Sequence, residues 1–277
     1  MKHWNYFIIG LKSYVKAAEY IVKNKVYWYA LFPAVLMLGI YKFGDFLLQH
    51  RFEVELKTLN DIIWYQVLLL LELSIAILFM QFSKYLVVTI LSPLLSYISV
   101  KTEFTLTGNK YPFNRQEFIW QIRRGIILVV RNIFWQYSIF LLIFLICSFF
   151  WDDVEASPLF YLTYLVGFYY YGFSFLDYIN ERKKMSIYSS ISLMKKYAAM
   201  TFSIGMIYSL LILLPVDLGA LFDWSTFSID PIGKIEEFIA HLILWVCASF
   251  APILATIAST ICMHDVFDLK KETIDFD

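Results

Sequence analysis

The feature that most constrains this chain is a series of long windows without Asp, Glu, Lys or Arg. Residues 132–151 form a charge-free run of 20, 156–176 a run of 21, 197–216 a run of 20 and 238–264 a run of 27. At a rise of about 1.5 Å per helical residue, each is long enough to cross about 30 Å of hydrocarbon. Residues 26–41 add a window of 16 that extends past Lys42 to Leu48, and residues 62–83 form another, interrupted only by Glu72. A further charge-free 16, residues 85–100, follows Lys84 and carries Pro93. It suits either a continuation of the preceding helix to the membrane surface or a re-entrant piece. None of these runs alternates polar and apolar residues as a membrane barrel requires. The expected fold class is therefore an all-α integral membrane protein with about six membrane-inserted helices.

Composition agrees. The chain is 60% hydrophobic and 17% charged, against about 25% charged in ordinary soluble domains. Its 26 Phe, 20 Tyr and 8 Trp exceed what a core of this size needs, unless much of that surface meets lipid or headgroups. A soluble enzyme, a disordered tail and a secreted disulfide scaffold are excluded. With 23 basic and 23 acidic residues the formal charge is zero, so no nucleic-acid partner is expected. Cys147, Cys247 and Cys262 lie inside apolar runs and read as small hydrophobes. His3, His50, His241 and His264 are scattered, which implies no metal site. The segment from Thr107 to Lys110 lacks the first glycine and the trailing hydroxyl of a phosphate loop, and no serine triad is suggested. No cofactor is implied and no enzymatic activity is expected. Without repeats or linkers, residues 1–277 read as a single membrane domain.

The amino-terminal stretch, residues 1–25, is too short in its apolar run for a removable signal. At helical spacing Lys12, Lys16, Glu19 and Lys23 form one stripe, while Phe7, Leu11, Val15, Ala18 and Val22 form another face. This pattern predicts an amphipathic interfacial helix; a surface helix packed on its own protein is the alternative. Loop charges orient the spans. Asp152, Asp153 and Glu155 have no basic neighbour, and residues 217–237 hold only Lys234, so both connections belong outside. Residues 101–124 and 177–196 carry five Lys or Arg each and belong in the cytoplasm. Both termini are then cytoplasmic, with residues 26–264 membrane-inserted and residues 265–277 a cytoplasmic tail in the plasma membrane protein (the inner membrane, if bacterial).

Charge placed at lipid depth marks the candidate sites. Glu72 sits in the middle of its window, where an ionised group is costly without a partner, and reads either as functional or as held for packing. Glu117, Gln121, Arg124 and Arg131 fall near one helical face. Arg131 opens the next apolar run, suited either to lining an aqueous vestibule or to snorkelling toward lipid phosphates. Ala251, Ala255 and Ser259 recur every fourth position and permit close helix approach, for internal packing more than for a dimer face.

Several short motifs, taken in order, resemble one family. Residues 91–95 with Pro93, then Thr107 and Gly108, are similar to the helix-to-loop passage of CysZ-type sulfate permeases, which share a domain with the etoposide-induced proteins. Asp177 and Tyr178, followed by Glu181, Arg182 and Lys183, resemble that family's Asp-Tyr-Pro segment and charged turn. Ser186 with Lys195 and Lys196, residues 202–205, Pro215, and the run from Pro252 to Ala258 continue the likeness, which extends from about residue 6 to 265. The resemblance implies full spans combined with helical hairpins that enter the bilayer only partway, a homo-oligomer, and a lipid-embedded permease or channel for a small inorganic anion such as sulfate. In this family a Pro-Gly and an arginine pair before the first span bind sulfate; the corresponding positions here hold Asn24, Lys25, Tyr27 and Trp28, and the arginine pair is absent. A helix start with Lys23 or Lys25 as point charge is the remaining anion-binding candidate, with Asn24 between them. The alternative function is a non-transporting membrane scaffold whose basic cytoplasmic loops recruit a partner or anionic lipid.

Overall fold

The computed structural model describes residues 2–49, 58, 60–61, 63–68, 89–111, 115–151, 153–154, 156–225 and 227–270. Helix α1 (Lys2–Lys23) is followed by a 3₁₀ turn (Val26–Ala30) and α2 (Leu31–Gln49). Then come α3 (Ser92–Thr107), α4 (Arg115–Phe150), a second 3₁₀ turn (Pro158–Tyr161), α5 (Leu162–Arg182), α6 (Ile187–Lys196), α7 (Ala198–Ile212) and α8 (Pro231–Phe267). No strand occurs among the described residues. Four stretches are long and apolar enough to cross a membrane: Val26–Gly44, Arg123–Phe150, Pro158–Arg182 and Pro231–Phe267. The window at 62–83, with Glu72, falls almost wholly outside the described residues.

Local chemistry sets the helix ends. Gly108 closes α3 at φ 80°, a left-handed conformation that favours glycine, and its N–H donates to the Phe104 carbonyl. Ser186 caps α6 by accepting from the Ser189 N–H, and Asp230 caps α8 by accepting from Gly233, with Pro231 at the first helical position. Two helices outrun their charge-free windows. The 36-residue α4 begins at Arg115, inside the segment expected as a cytoplasmic loop, and the 37-residue α8 begins at Pro231, inside the expected outer loop. Charged residues leave the bilayer but stay helical, because Arg, Lys, Glu and Gln are good helix formers. The opposite happens at 197–216: α7 has 15 residues and ends at Ile212. At about 22 Å it is shorter than the hydrocarbon core. Pro215, without an N–H, cannot carry the helix on.

The core is a bundle of α1, α3, α5, α7 and α8. Helices α5 and α7 approach most closely at Gly172 and Gly205. A methyl on Gly172 would overlap the Thr201 carbonyl, and one on Gly205 would overlap that of Phe168. In α8, Ala251, Ala255 and Ser259 are all fully buried inside the chain, and Ser259 Oγ donates to the Phe175 carbonyl at 3.4 Å. That row serves internal packing, as its spacing suggests. Pro252, buried beside it, breaks the backbone bonding within α8, and Thr256 Oγ1 caps its carbonyl at 2.8 Å.

Helix α1 has three faces. Gly10, Ser13, Tyr14, Ala17, Tyr20 and Ile21 are buried against α7 and α8, and the Tyr14 hydroxyl donates to the Ile204 carbonyl at 2.6 Å. Trp4, Val15, Ala18 and Val22 are exposed, and Lys12, Lys16, Glu19 and Lys23 are exposed on the third face. The packed stripe is thus not the predicted apolar face, of which Val15, Ala18 and Val22 are exposed while Phe7 and Leu11 are half-buried, the Phe7 ring centroid lying 6.3 Å from that of Phe202. By contrast α4 packs mainly on α5, and only 6% of its Arg123–Phe150 window is buried by protein.

Candidate functional site

The carboxyl ends of α3, α5 and α8 meet in a layer of buried ion pairs. Arg124 of α4 is 2% exposed and grips Asp177 of α5 with two bonds, Nε to Oδ2 at 3.2 Å and Nη2 to Oδ1 at 2.8 Å. This is the bidentate geometry that a guanidinium offers a carboxylate. Its Nη1 donates to the Met185 carbonyl, and its plane lies 5.8 Å from the Trp120 ring centroid. Ser190 Oγ donates to Asp177 Oδ1 at 2.5 Å and in turn accepts from Asn180 Nδ2 at 2.8 Å. A buried charge pair is tolerated only when its remaining lone pairs and protons are satisfied in this way.

The second pair centres on Glu103 of α3, which is fully buried. Arg182 donates to Glu103 Oε2 through Nε at 3.1 Å and Nη2 at 2.9 Å, and Lys183 Nζ lies 3.7 Å from Oε1. The Tyr111 hydroxyl donates to Oε1 at 2.5 Å. Burial pushes the Glu103 carboxyl up, but Arg182, Tyr111 and Lys183 together hold it below its ordinary value. Burial and the neighbouring Glu103 push the Tyr111 hydroxyl up to about 12. Arg182 also donates to Ser99 Oγ at 2.9 Å, and Ser99 shares a 2.8 Å hydrogen bond with Thr260 of α8. Beyond α8, the Leu269 carbonyl accepts from Lys183 Nζ at 2.8 Å and from Asn109 Nδ2 at 2.9 Å. The start of the expected tail at 265–277 is therefore fastened to the layer; residues 271–277 lie outside the described residues.

Beside the Arg124–Asp177 pair, a cavity of about 210 Å³ opens between α3, α4 and α5, lined by Ser92, Ser96, Ser174, Asp177, Tyr178 and Glu181 among others. No Lys or Arg lines it among the described residues, and Glu181 Oε1 is buried without a hydrogen-bond partner. A wider depression of about 440 Å³ lies near the other end of α8, where buried Lys234 pairs with Glu237 at 2.7 Å.

The sequence candidates are dispersed. Lys23, Asn24 and Lys25 form the turn after α1, with both lysines exposed and Lys25 left-handed at φ 54°. The Asn24 N–H donates to the Tyr20 carbonyl and that of Lys25 to Val22. This is the carboxyl end of α1, where the helix dipole favours cations, and only a five-residue 3₁₀ turn follows. Arg124 is brought into the ion-pair layer; Arg131 is half-buried farther along α4. Glu72 lies outside the described residues. No group of three His, Cys, Asp or Glu able to hold a metal occurs among the described residues.

Residues 13–222 match the family described as sulfate transporter CysZ/etoposide-induced protein 2.4. The chain belongs to that family. Neither the curated proteins nor the solved structures contain a match. The description of the family names a sulfate transporter. The motif positions now have physical roles. Pro93 starts α3 and Gly108 ends it, while Thr107 Oγ1 accepts from the Asn109 N–H. Asp177 is the counter-ion of Arg124. Pro215 follows α7, and Pro252 interrupts α8. Sequence reasoning passed over Glu103 and Asn132. Glu103 has no local signal, its partner lying 79 residues away. Asn132 does: with Arg124, Leu128 and Gln136 it continues an every-fourth-residue stripe along the inward face of α4.

Proposed function

We propose that the protein is a plasma-membrane permease or channel for a small inorganic anion, with sulfate as the first solute to try. The observation that carries this reading is the family match over residues 13–222, in a chain with four stretches able to cross a bilayer. Charge distribution supports an orientation with both termini in the cytoplasm. Lys16 of α1 pairs with Asp265 near the end of α8 at 2.6 Å, a contact consistent with α1 and the end of α8 sharing one side. That side carries Arg124, Arg182, Lys183, Lys195 and Lys196, whereas Asp217, Asp223, Asp230 and Glu237 lie on or before the first turns of α8. The sparsely covered α4 favours a homo-oligomer or a lipid-facing helix.

The test is flux of radiolabelled sulfate into liposomes holding the purified protein. Uptake above empty vesicles is expected; no uptake of sulfate, thiosulfate, phosphate or nitrate would exclude transport. A scaffold is the second reading, favoured by the exposed Lys12, Lys16, Lys23, Lys195 and Lys196. It expects tight binding to vesicles of anionic lipid without solute uptake.

A further inference from the structure

We propose that Arg131 and Asn132 form an oxyanion-binding pair on the α4–α5 seam, one step into the apolar region beyond the ion-pair layer. The inference rests on the anion-permease reading and names where in the chain such an anion is held. The inward face of α4 carries Arg124, Leu128, Asn132 and Gln136 in succession. Three of these are accounted for. Arg124 is saturated by Asp177 and the Met185 carbonyl, Leu128 is buried in the core, and Gln136 hydrogen-bonds to Tyr171.

Asn132 is not accounted for. Its side chain is fully buried, its Oδ1 accepts from Arg131 Nη1 at 3.3 Å, and its Nδ2 has no partner. That single bond orients the amide: its oxygen takes the guanidinium N–H, and Nδ2 is left as a buried donor without an acceptor. Arg131 is half-buried and has no carboxylate partner among the described residues. The pair therefore carries guanidinium N–H groups and two amide N–H groups against a single carbonyl acceptor that already takes one bond. A donor-rich cluster with net positive charge in a low-dielectric surround is complementary to an anion with several oxygen acceptors, and a neutral water leaves the charge unbalanced. Tyr169 and Tyr170 of α5 stand within electrostatic reach of Arg131.

Charge bookkeeping across the seam points the same way. Asp177 is matched by Arg124, and Glu103 by Arg182 and Lys183. Arg131 lies seven residues from Arg124, about 10 Å along α4, so its positive field is not cancelled by the layer. Sulfate and the phosphate of an anionic lipid share the chemistry that such a pair recognises.

The experiment measures equilibrium binding of radiolabelled sulfate to the full chain in phosphatidylcholine nanodiscs, beside sulfate flux in liposomes of the same lipid. Saturable sulfate binding is expected, weakened tenfold or more by Arg131→Gln and by Asn132→Leu, which keeps the size and removes the donors. Asn132→Asp, with the same outline and a negative charge, is expected to abolish it, and Arg131→Lys to retain part. Should Arg131→Gln fail to fold, the two Asn132 variants carry the test. A second arm replaces a third of the lipid with phosphatidylglycerol. If that lipid displaces sulfate from the wild type, and its retention in native mass spectra falls in Arg131→Gln, the pair takes lipid phosphate. Sulfate and phosphatidylglycerol binding that are absent, or unchanged in all variants, would overturn the proposal. Flux that ignores these substitutions sinks the pair and leaves the permease standing; pair-dependent binding without any flux does the reverse.

Discussion

Asp177→Ala strips Arg124 of two charged hydrogen bonds while leaving its side chain 2% exposed. Breaking one side of a buried pair costs about 3–5 kcal/mol, chiefly because the surviving charge stays desolvated. Arg124 keeps the Met185 carbonyl and the Trp120 ring, which places the loss near the lower end, about 3 kcal/mol. Ser190 Oγ loses its acceptor as well, which leaves the bond it accepts from Asn180 as its remaining tie between α5 and α6. At about 2–4 °C per kcal/mol for a chain of this size, the melting temperature should fall by about 6–12 °C. Intrinsic tryptophan fluorescence of the detergent-solubilised protein reads it directly. The double variant Arg124→Met, Asp177→Leu removes both charges and should recover most of the loss, since apolar replacement of a whole buried pair is often neutral or better. A single variant melting within about 1 °C of wild type, or a double variant less stable than the single, would refute the view that mutual neutralisation holds this layer.

Gly172→Ala should destabilise by about 3 kcal/mol or more, because the new methyl meets backbone of α7, not a side chain that can turn aside. Gly39→Ala on α2, with nothing within 4 Å, should instead gain a few tenths of a kcal/mol, about 0.5–1 at most; equal effects at the two sites in a thermal melt would contradict the close crossing. The Glu103 carboxyl, held below its ordinary value, makes stability pH-dependent. As pH falls the unfolded chain takes up its proton first, so the stabilisation is complete above about 4.3 and is lost as pH drops toward the folded value. The melting-temperature gap between wild type and Glu103→Gln should be constant from neutral pH to about 5 and shrink below about 4.3; a gap that persists at about pH 3 would show that Glu103 is not charged in the fold.

The membrane class was legible because a charge-free window of 20 or more residues leaves a chain few other stable environments. Helix ends were not, since they are set by Gly108, Asp230 and Pro215, while the bilayer edge is set by charge. The expected crossing at 197–216 is the clearest case, with a 15-residue helix stopped short of Pro215. Hydrophobicity likewise cannot tell a lipid-facing stripe from a packed one. On α1 Val15 and Val22 belong to the apolar face expected at the membrane interface, while Ser13, Tyr14 and Ala17 are the residues against the core, because close helix contact admits small side chains and satisfied hydroxyls. The site was legible only in fragments. Arg124 and Asp177 were each visible, one as a charge at the edge of an apolar run and one as a motif position, but nothing in either neighbourhood joins residues 53 apart.

Electrostatics decides which fragments suit an anion. Arg124, Arg182 and Lys183 are the most conspicuous cations in the interior, yet each is committed to Asp177 or Glu103. The cavity beside them is walled by Asp177 and by the unpartnered oxygen of Glu181. An anion entering there finds no cation among the lining residues described. Such a layer fits the task of locking α3, α4, α5 and α8 together on one side of the bilayer. On the proposed function, an anion route runs where positive charge is left over, which among the described interior residues turns attention from the densest cluster to the sparser seam of α4.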